Sequence, residues 1–538
     1  MKSAADYGGF MNFRKCMALL FADITAVGII SSCSTGEKVG SVPDNVTETT
    51  NAVTETATAP PVTTLPEIPL DLPTIKKQEY EEFYETEKGK LKNGMRVGCD
   101  YDDFSGDGYV VGFGEGGILE ISVKLPSDQY YDLTFRTASN DISRLGITAD
   151  GKTIAEFDTS DNGIFTDITV SGVYLSRNTS VIGIQSALGD FAVDFVKITD
   201  GKCASENTAL RTRKPVNKNA SDEAVSLMNS LADCYGKYII TGQYVSDENN
   251  AEIELIYNTT GKYPVVRCSE LSDSKAETDA VAEWYRNGGI PFITWYWNSP
   301  SDESSVLSEK TDFSLSDAVC EKDIAKLSLK DIEKLCSDGE ISEQCLALVR
   351  DIDSTAEILG RLDKQNIPVL WRPLPEGGGN WYWWGADGEK AYKWLWELVY
   401  NRMTAYHKLS NLLWVWNGQS KEYMVNRSMF DIASADIYIS GEKDYGNRFC
   451  EKFAAIQRFV GEDKLIALSE CGSVPDTVSA FRDNAVWSFF GLWNGEYIMT
   501  ESGEYSEEYT GLDALLSAYN SEGVLTLDEY REVNGIGE

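Results

Sequence analysis

The sequence predicts an α/β protein in which a (β/α)8 TIM barrel is preceded by a β-sandwich module. Its 538 residues exceed one ordinary domain. Between about residues 79 and 200, short alternating runs are broken by Gly, Asp and Asn, as in a sheet-rich module. Beyond residue 222, apolar strand-like runs alternate with longer helix-like stretches, which is the rhythm of a parallel barrel.

The first 76 residues are expected to lie outside both folded units. Basic residues precede an apolar run over 17–30, and Cys33 follows small residues, as in a bacterial lipoprotein signal acylated at that cysteine. Asp23 interrupts the run, so cleavage by an ordinary signal peptidase and a different start codon stay open. Residues 34–76, rich in Thr, Pro and Glu, are typical of an extended linker. We therefore expect an exported bacterial protein, extracellular or lipid-anchored at the cell surface.

The first folded unit is predicted over residues 77–202, with a linker over 203–222. Short strand-like runs recur there at a spacing that favours a β-sandwich. Examples are residues 118–123, 131–135, 181–184 and 191–196.

The second unit, residues 223–538, contains eight apolar runs separated by helix-like stretches, as a TIM barrel requires. The runs are 238–240, 264–266, 291–295, 368–371, 412–416, 432–435, 465–468 and 485–489. The largest insertion, from 299 to about 342, follows the third run. Because the loops after the strands build the active site of this fold, the residues that end these runs are the candidates for chemistry.

Charge and cysteine content exclude several classes of protein. With 85 acidic and 48 basic residues, the net charge of −37 repels phosphate backbones, so no nucleic-acid partner is expected. The 11 cysteines show no CxxC pair and no zinc spacing. Most are expected to be buried thiols, although a few disulfides remain open. A monomer is expected.

Two glutamates end facing runs of the predicted barrel. The fourth run leads through Arg372 to Glu376, which three glycines and several aromatic residues follow, and the seventh run ends at Glu470. Cleavage of a glycosidic bond needs two such carboxylates, one to protonate the leaving oxygen and one to attack the anomeric carbon. Solvated loop acids are commoner for any arbitrary pair, but the shared position at strand ends favours catalysis.

The segment 372–385 reads Arg-Pro-x-x-Glu-x-x-Gly-x-Trp-x-Trp-Trp-Gly, and over about 231–530 the sequence resembles glycoside hydrolase family 26. That family consists mostly of retaining endo-β-1,4-mannanases. The resemblance implies that Glu376 is the acid/base and Glu470 the nucleophile, which must stay ionised while Glu376 holds a proton. It implies further substrate-site residues: Tyr438 beside the nucleophile, and Trp381, Trp384 and Trp493 lining sugar subsites. Arg372 belongs to the same expected substrate site, where it would hold the nucleophile ionised or brace the strand ends.

The sequence departs from the family pattern at two positions. Pro375 and Tyr296 stand where the family usually has histidine, so contacts with the sugar in the cleavage subsite must differ. A shifted or narrowed specificity follows as a hypothesis, with Tyr296 as a substrate contact. His407, the only histidine, falls on an apparent helix and is expected to be structural.

The smaller module resembles carbohydrate-binding module family 35 through Tyr-Glu-Thr-Glu at 84–87, the segment 105–113 and Val-Asp-Phe at 193–195. The resemblance implies a structural Ca²⁺ held by Glu85, Glu87 and Asp194, whose hard oxygen ligands suit that ion. Surface acids in a very acidic protein are the equal alternative. Tyr109 and Tyr131 are candidates for sugar stacking or for the core.

Three functions remain open. The first is a retaining mannanase acting on mannan, glucomannan or galactomannan, with an appended glycan-binding module and no catalytic cofactor. The second is a hydrolase of the same fold acting on mixed-linkage glucan or xylan. The third is a surface protein whose barrel only binds glycan. Endo or exo action stays open.

Overall fold

The computed structural model describes residues 66–141, 143–160, 162–205, 211–438 and 450–537. The predicted signal segment, Cys33 and most of the predicted linker lie outside these ranges. The described residues belong to one compact unit. Within them, we find no helix of the length and apolarity needed to cross a membrane.

The last part of the predicted linker lies against the barrel. Ile68 pairs with Ser521 in a parallel bridge, and its N–H donates to the carbonyl of Asn520 at 2.7 Å. The N–H of Glu522 donates back to the carbonyl of Ile68 at 3.0 Å. Backbone pairing on both sides therefore fixes this part of the segment.

The N-terminal module is a sandwich of two antiparallel sheets. One sheet has the order β3-β4-β11-β6-β9, with β1 also paired to β11, and the other has the order β2-β5-β10-β7-β8. The strands are β1 (Glu81–Glu85), β2 (Lys90–Lys92), β3 (Arg96–Gly98), β4 (Tyr109–Val111), β5 (Ile118–Ser122), β6 (Gln129–Ala138), β7 (Arg144–Ala149), β8 (Lys152–Asp158), β9 (Thr166–Leu175), β10 (Val181–Leu188) and β11 (Ala192–Asp200).

Alternation along these strands places apolar side chains between the two sheets. In β6, for example, Leu133 and Phe135 are fully buried, whereas the intervening residue is partly exposed. Tyr131 belongs to the same core, and Tyr109 is buried in a smaller cluster beside Phe165. Both tyrosines are therefore core residues, and neither offers a free face to a sugar.

The C-terminal domain is a closed parallel barrel of eight strands. They are β13 (Gly242–Tyr244), β14 (Val266–Glu270), β15 (Ile290–Trp295), β16 (Val369–Pro373), β17 (Leu412–Trp416), β18 (Ile432–Ile437), β19 (Leu465–Cys471) and β20 (Phe490–Leu492). Outside it, β12 (Ile239–Ile240) pairs in parallel with β21 (Val524–Leu525). The predicted fold class, a TIM barrel preceded by a β-sandwich, is confirmed.

Two of the eight predicted runs are displaced from the barrel strands. Run 238–240 contains β12, and the first barrel strand is the following Gly242–Tyr244. Because Gln243 is polar, this strand does not appear in the sequence as an apolar run. At Gly242 the chain lies close to β20, since an added Cβ there would lie 2.4 Å from the carbonyl oxygen of Phe490. The eighth predicted run, 485–489, likewise lies just before β20. Its residues Trp487 and Phe489 are buried in the core, which explains the apolar pattern ahead of the strand.

The helices follow the strands as in other α/β barrels. They are α1 (Asp222–Cys234), α2 (Ala251–Thr260), α3 (Lys275–Arg286), α4 (Leu315–Ala318), α5 (Leu329–Ser337), α6 (Glu343–Asp363), α7 (Trp383–Ala386), α8 (Glu389–Asn401), α9 (Cys450–Val460), α10 (Thr477–Arg482), α11 (Leu512–Asn520) and α12 (Leu527–Asn534). Four of these helices follow a serine whose side chain accepts a hydrogen bond from a backbone N–H of the first turn. Each such bond satisfies one backbone donor that the start of the helix leaves unpaired. The insertion after β15 contains α4 and α5.

Candidate active site

Every predicted site residue of the barrel lies at the carboxyl ends of the parallel strands. Glu470 is in β19, the seventh barrel strand, and Glu376 lies three residues beyond β16, the fourth. Tyr296, Tyr438 and Trp493 each follow the end of β15, β18 or β20. Because all strands run in one direction, these side chains meet at one face of the barrel.

Glu470 is fully buried, and three donors surround its carboxylate. The hydroxyls of Tyr296 and Tyr438 donate to Oε1 and Oε2 respectively, the second at 2.7 Å. The Arg372 guanidinium donates to Oε1 through Nη2. Donors on both oxygens favour the ionised form of a carboxylate and fix its orientation.

Arg372 connects Glu470 to a second buried carboxylate. Its Nη1 donates to both oxygens of Asp436, at 2.7 and 2.8 Å. Burial acts to lower the pKa of Arg372, but Asp436, Tyr244 and Glu470 outweigh it and hold the pKa well above the usual range. Arg372 is itself fully buried, and its guanidinium donates to both carboxylates. These contacts fit the expected role of Arg372 beside the nucleophile, and its place in the substrate site stays a prediction.

The sequence reasoning missed Asp436 and Asn417. Asn417 directly follows β17 and donates to Asp436 Oδ1 at 3.3 Å and to Ser469 Oγ at 3.0 Å. Burial raises the pKa of Asp436 well above its usual value; Arg372 opposes this rise, whereas the charges of Glu470 and Glu376 add to it. Each is a polar residue at the end of an apolar run, and this position could have identified both as candidates from the sequence.

Glu376 sits in a backbone turn that its neighbours hold in place. Its φ of 54° lies in the left-handed region, which side chains other than glycine rarely adopt. Its N–H donates to the backbone carbonyl of Asn417 at 2.7 Å and to the side-chain Oδ1 at 2.8 Å. Trp381 Nε1 donates to Glu376 Oε2 at 3.0 Å. Such local strain is typical of functional sites, where the surroundings fix a precise side-chain position.

The aromatic residues of the site differ in exposure. Trp381 is partly exposed, as a sugar platform must be, whereas Trp384 is fully buried. Trp384 stacks on Tyr382 with ring centroids 4.5 Å apart and donates to the carbonyl of Pro375 at 2.8 Å. Trp384 therefore supports the loop, and its place in a sugar subsite stays a prediction. Trp493 is 5% exposed and packs 4.4 Å from the ring of Tyr244.

Tyr296 and Pro375, which stand where the family usually has histidine, lie in different surroundings. The hydroxyl of Tyr296 contacts both Glu470 and, at 3.2 Å, Arg372 Nη2, so this tyrosine belongs to the carboxylate network. Pro375 contributes its carbonyl to Trp384. His407 lies apart from the site, where its Nε2 contacts Asp353 Oδ1 at 2.6 Å, consistent with a structural role.

The predicted calcium ligands of the sandwich converge on one loop. The Ser105 hydroxyl donates to Glu85 Oε2 at 2.8 Å and to Asp194 Oδ1 at 3.2 Å. The Asp107 N–H donates to Glu87 Oε1 at 3.3 Å. As they stand, no three His, Cys, Asp or Glu side chains in the described ranges are arranged to hold a metal ion.

Two further observations fit a cation at this loop. An added Cβ at Gly106 would lie 2.7 Å from Glu87 Oε1 and 2.9 Å from the Glu85 carboxyl carbon, so the two carboxylates lie on the same side of this residue. Glu87 Oε2 is buried without a hydrogen-bond partner among the described atoms. Converging carboxylates and an unpaired oxygen are what a hard cation would neutralise.

Two glutamates, hydrogen-bonded by tyrosine, arginine and tryptophan at the open face of a parallel barrel, define the class of a barrel glycoside hydrolase. A family model described as glycosyl hydrolase family 26 matches residues 216–529, more than half of the chain. The chain belongs to that family.

Curated relatives extend the similarity beyond the barrel. The mannan endo-1,4-beta-mannosidase B of Piromyces sp is 29% identical over 475 residues, covering 84% of this chain and 78% of the relative. The mannan endo-1,4-beta-mannosidase of Thermothelomyces thermophilus is 30% identical over 473 residues, covering 83% of this chain and 90% of the relative.

Solved structures also match most of the chain. The crystal structure of the Podospora anserina GH26-CBM35 beta-(1,4)-mannanase matches with a TM-score of 0.55 and 27% identity, over 84% of this chain and 99% of that one. A ruminal GH26 endo-beta-1,4-mannanase matches with a TM-score of 0.57 at 22% identity, which shows the fold. The first match covers more of this chain than the family model does, and so includes part of the sandwich module.

Proposed function

We propose that this glycoside hydrolase cleaves β-1,4-mannosidic bonds of mannan-type polysaccharides with retention of configuration. The observation that carries the proposal is the carboxylate network, in which Arg372, Tyr296 and Tyr438 hold Glu470 while Glu376 occupies the opposing loop. The proteins named in the comparisons as mannan endo-1,4-beta-mannosidases support the substrate class.

In the first step, Glu376 gives a proton to the glycosidic oxygen while Glu470 attacks the anomeric carbon, so the leaving chain departs as an alcohol. The donors from Tyr296, Tyr438 and Arg372 favour the ionised form of Glu470 and orient its carboxylate. Trp381 Nε1 donates to Glu376 Oε2 and so helps to orient the carboxyl group that protonates the leaving oxygen.

In the second step, the ionised Glu376 takes a proton from water, and the resulting hydroxide attacks the anomeric carbon from the side that the leaving chain vacated. The bond to Glu470 breaks and the carboxylate returns to its donors. Two inversions at one carbon give net retention.

The two glutamates can be distinguished by their substrate dependence. Glu376→Ala should lower turnover of linear mannan on the order of 10²- to 10⁴-fold. It should form the glycosyl-enzyme readily from a dinitrophenyl mannoside, because that leaving group needs no proton. Glu470→Ala should lose both reactions, and Glu422→Ala, on an exposed loop, should behave as wild type. Unchanged mannan turnover in Glu376→Ala would remove this residue from the mechanism.

A second candidate function is hydrolysis of another β-glycan. The observation that favours it is the hydrogen bond from the Tyr296 hydroxyl to Glu470. A hydroxyl that already donates to the nucleophile is less available to hydrogen-bond a mannose unit. Reducing-end assays of linear mannan, glucomannan, galactomannan, mixed-linkage glucan and xylan separate the candidates. Activity confined to the last two would overturn the mannanase proposal, and binding without turnover on all five would leave a glycan-binding protein.

We also propose that residues 77–202 form a glycan-binding module with a structural Ca²⁺ at Glu85, Glu87 and Asp194. The convergence of these carboxylates on the Ser105–Gly106 turn supports the ion. Adding Ca²⁺ after chelation should raise the melting temperature of the wild type and not of Glu87→Ala, with Mg²⁺ as the comparison ion. The same melting temperature with and without Ca²⁺ would argue against the site.

We propose, finally, that the chain is exported from a bacterial cell and anchored by a lipid at Cys33. The support is the basic and apolar pattern of residues 1–33. Labelling of expressing cells with a fatty-acid analogue should mark the wild type and not Cys33→Ser. Label in neither protein, with secreted activity, would indicate an ordinary signal peptide.

A further inference from the structure

A cysteine of the insertion after β15 lies beside a cysteine of helix α6. Cys320 follows α4, and Cys345 lies in the first turn of α6. The Cys345 thiol donates to the Cys320 sulfur, with the two Sγ atoms 3.8 Å apart. Both are free thiols in the structure, and a disulfide would require their sulfurs to approach from 3.8 Å to about 2.05 Å.

We propose that Cys320 and Cys345 form a disulfide that fixes this insertion against α6 in the mature protein. This inference goes beyond the hydrolase activity and does not depend on which glycan is cleaved. An exported protein meets the oxidising conditions under which such bonds form and persist.

The bond forms by thiol–disulfide exchange with an oxidised small-molecule or protein disulfide. The Cys320 thiolate attacks one sulfur of that disulfide and releases one thiolate. The Cys345 sulfur, after losing its proton to solvent, attacks the Cys320 sulfur of the mixed disulfide and releases the second thiolate. Two protein thiols are oxidised, and one disulfide is reduced to two thiols.

The surroundings suit Cys320 as the first attacking group. The hydrogen bond from Cys345, helped by a backbone donor and by Lys322 and opposed by burial, lowers the pKa of Cys320 to about 7. Its side chain is partly exposed, so an oxidant can reach it. The same hydrogen bond and burial raise the pKa of Cys345, which suits a thiol that reacts second.

The insertion contacts the loop that carries the proposed acid/base. The Ser308 N–H donates to the Trp381 carbonyl at 2.8 Å, and the Trp383 N–H donates to the Val306 carbonyl at 3.1 Å. Trp381 in turn holds the Glu376 carboxylate. Further along the insertion, the Cys320 carbonyl accepts from Trp394 Nε1 at 3.0 Å. A disulfide here would stabilise the insertion on which that loop rests.

Peptide mapping tests the bond directly. Full-length enzyme is incubated with oxidised glutathione, alkylated under denaturing conditions and digested with trypsin without reduction. Trypsin should yield residues 311–322, containing Cys320, and residues 335–350, containing both Cys336 and Cys345. Because Cys336 shares the second peptide, the measurement is made in the wild type and in Cys336→Ser.

The expected product is a cross-linked pair of these peptides lacking two hydrogens, present in both proteins and absent from Cys345→Ser. Alkylation of both Cys320 and Cys345 in oxidised Cys336→Ser would overturn the proposal. A cross-link found in the wild type and lost in Cys336→Ser would overturn it too, by assigning the bond to Cys336.

A second measurement tests the consequence for stability. Reduction with dithiothreitol should lower the melting temperature of oxidised wild type by a few degrees and leave that of Cys320→Ser unchanged. Equal melting temperatures for oxidised and reduced wild type would show that the bond, if formed, does not hold the insertion.

Discussion

Arg372 shows how one buried side chain can organise a site that many strands share. It extends from β16 to Asp436 in β18 and Glu470 in β19, and its Nε donates to Thr294 in β15 at 3.1 Å. A rigid planar guanidinium serves this purpose better than lysine, because its donors point in several fixed directions. The orientation of the proposed nucleophile therefore depends on side chains of three other barrel strands.

Tyr296 is the residue whose effect on Glu470 is easiest to isolate. Tyr296→Phe removes a hydroxyl that stabilises the ionised carboxylate, and kcat should fall roughly tenfold, the effect of losing about 1.4 kcal/mol. The acid limb of the pH profile of kcat/KM should shift to higher pH, because the nucleophile then takes up a proton more readily. Tyr263→Phe, far from the site, is the control. A lower kcat with an unmoved acid limb would indicate a contact with substrate instead.

Asp436 is predicted to stabilise the fold through Arg372. Asp436→Asn leaves the buried guanidinium with one fewer charged partner and should lower the free energy of unfolding by about 3 kcal/mol. Urea denaturation followed by tryptophan fluorescence measures this. Asp279→Asn, which breaks an exposed pair with Lys275, should cost under about 0.5 kcal/mol. Equal small losses in both variants would mean that the Asp436 carboxyl carries no charge in the folded protein.

At the scale of elements, the loop between β16 and α8 shapes the site through backbone contacts. It turns through left-handed residues at Leu374, Glu376 and Asn380, and closes where Gly385 meets the backbone of Gly377. Three consecutive glycines and the short helix α7 make this close approach sterically feasible. Replacing one of these glycines with a larger residue is therefore expected to displace the loop backbone.

Gly385→Ala is predicted to disturb this loop. Its Cβ would lie 2.3 Å from the Gly377 carbonyl oxygen, so the backbone must shift, at a cost of about 1–3 kcal/mol and with a large fall in kcat. The matched control is Gly360→Ala within α6, where the nearest atom is 3.8 Å away and stability should rise by about 0.5–1 kcal/mol. Thermal melts and kcat measure both. Full activity in Gly385→Ala would show that the loop adapts without moving Glu376.

At the scale of the whole molecule, the sandwich packs on the barrel through a small set of side chains. The Arg482 guanidinium lies 3.7 Å from the centre of the Tyr174 ring, and the Tyr130 hydroxyl donates to the Arg482 carbonyl at 2.7 Å. Ser205, just after the sandwich, donates to the carbonyl of Asp483. These contacts link strands β6 and β9 of the sandwich to helix α10 of the barrel.

This coupling should appear in the cooperativity of unfolding. We expect the wild type to unfold in one calorimetric transition, and Arg482→Ala to show a separate sandwich transition at lower temperature after losing about 2 kcal/mol of interface free energy. Arg427→Ala, which breaks an exposed pair with Asp463, is the control. A single transition in Arg482→Ala would place the coupling in other contacts.

The sequence alone predicted the two-module fold, six of the eight barrel strands in approximate position and the pair Glu376 and Glu470. Apolar periodicity and strand-end position are local properties that the chain order records. It misplaced the first and last strands, because Gly242–Tyr244 is short and contains a polar glutamine and because apolar residues before β20 pack in the core.

Only the tertiary structure decided which side chains meet. Arg372 is 64 residues from Asp436 in the chain, and nothing in their spacing indicates that they form an ion pair. The same holds for the buried position of Trp384, which the sequence presents as one more aromatic residue of an exposed loop. Burial and partner choice depend on how distant strands close into a barrel, and that closure is a property of the whole chain, not of any segment.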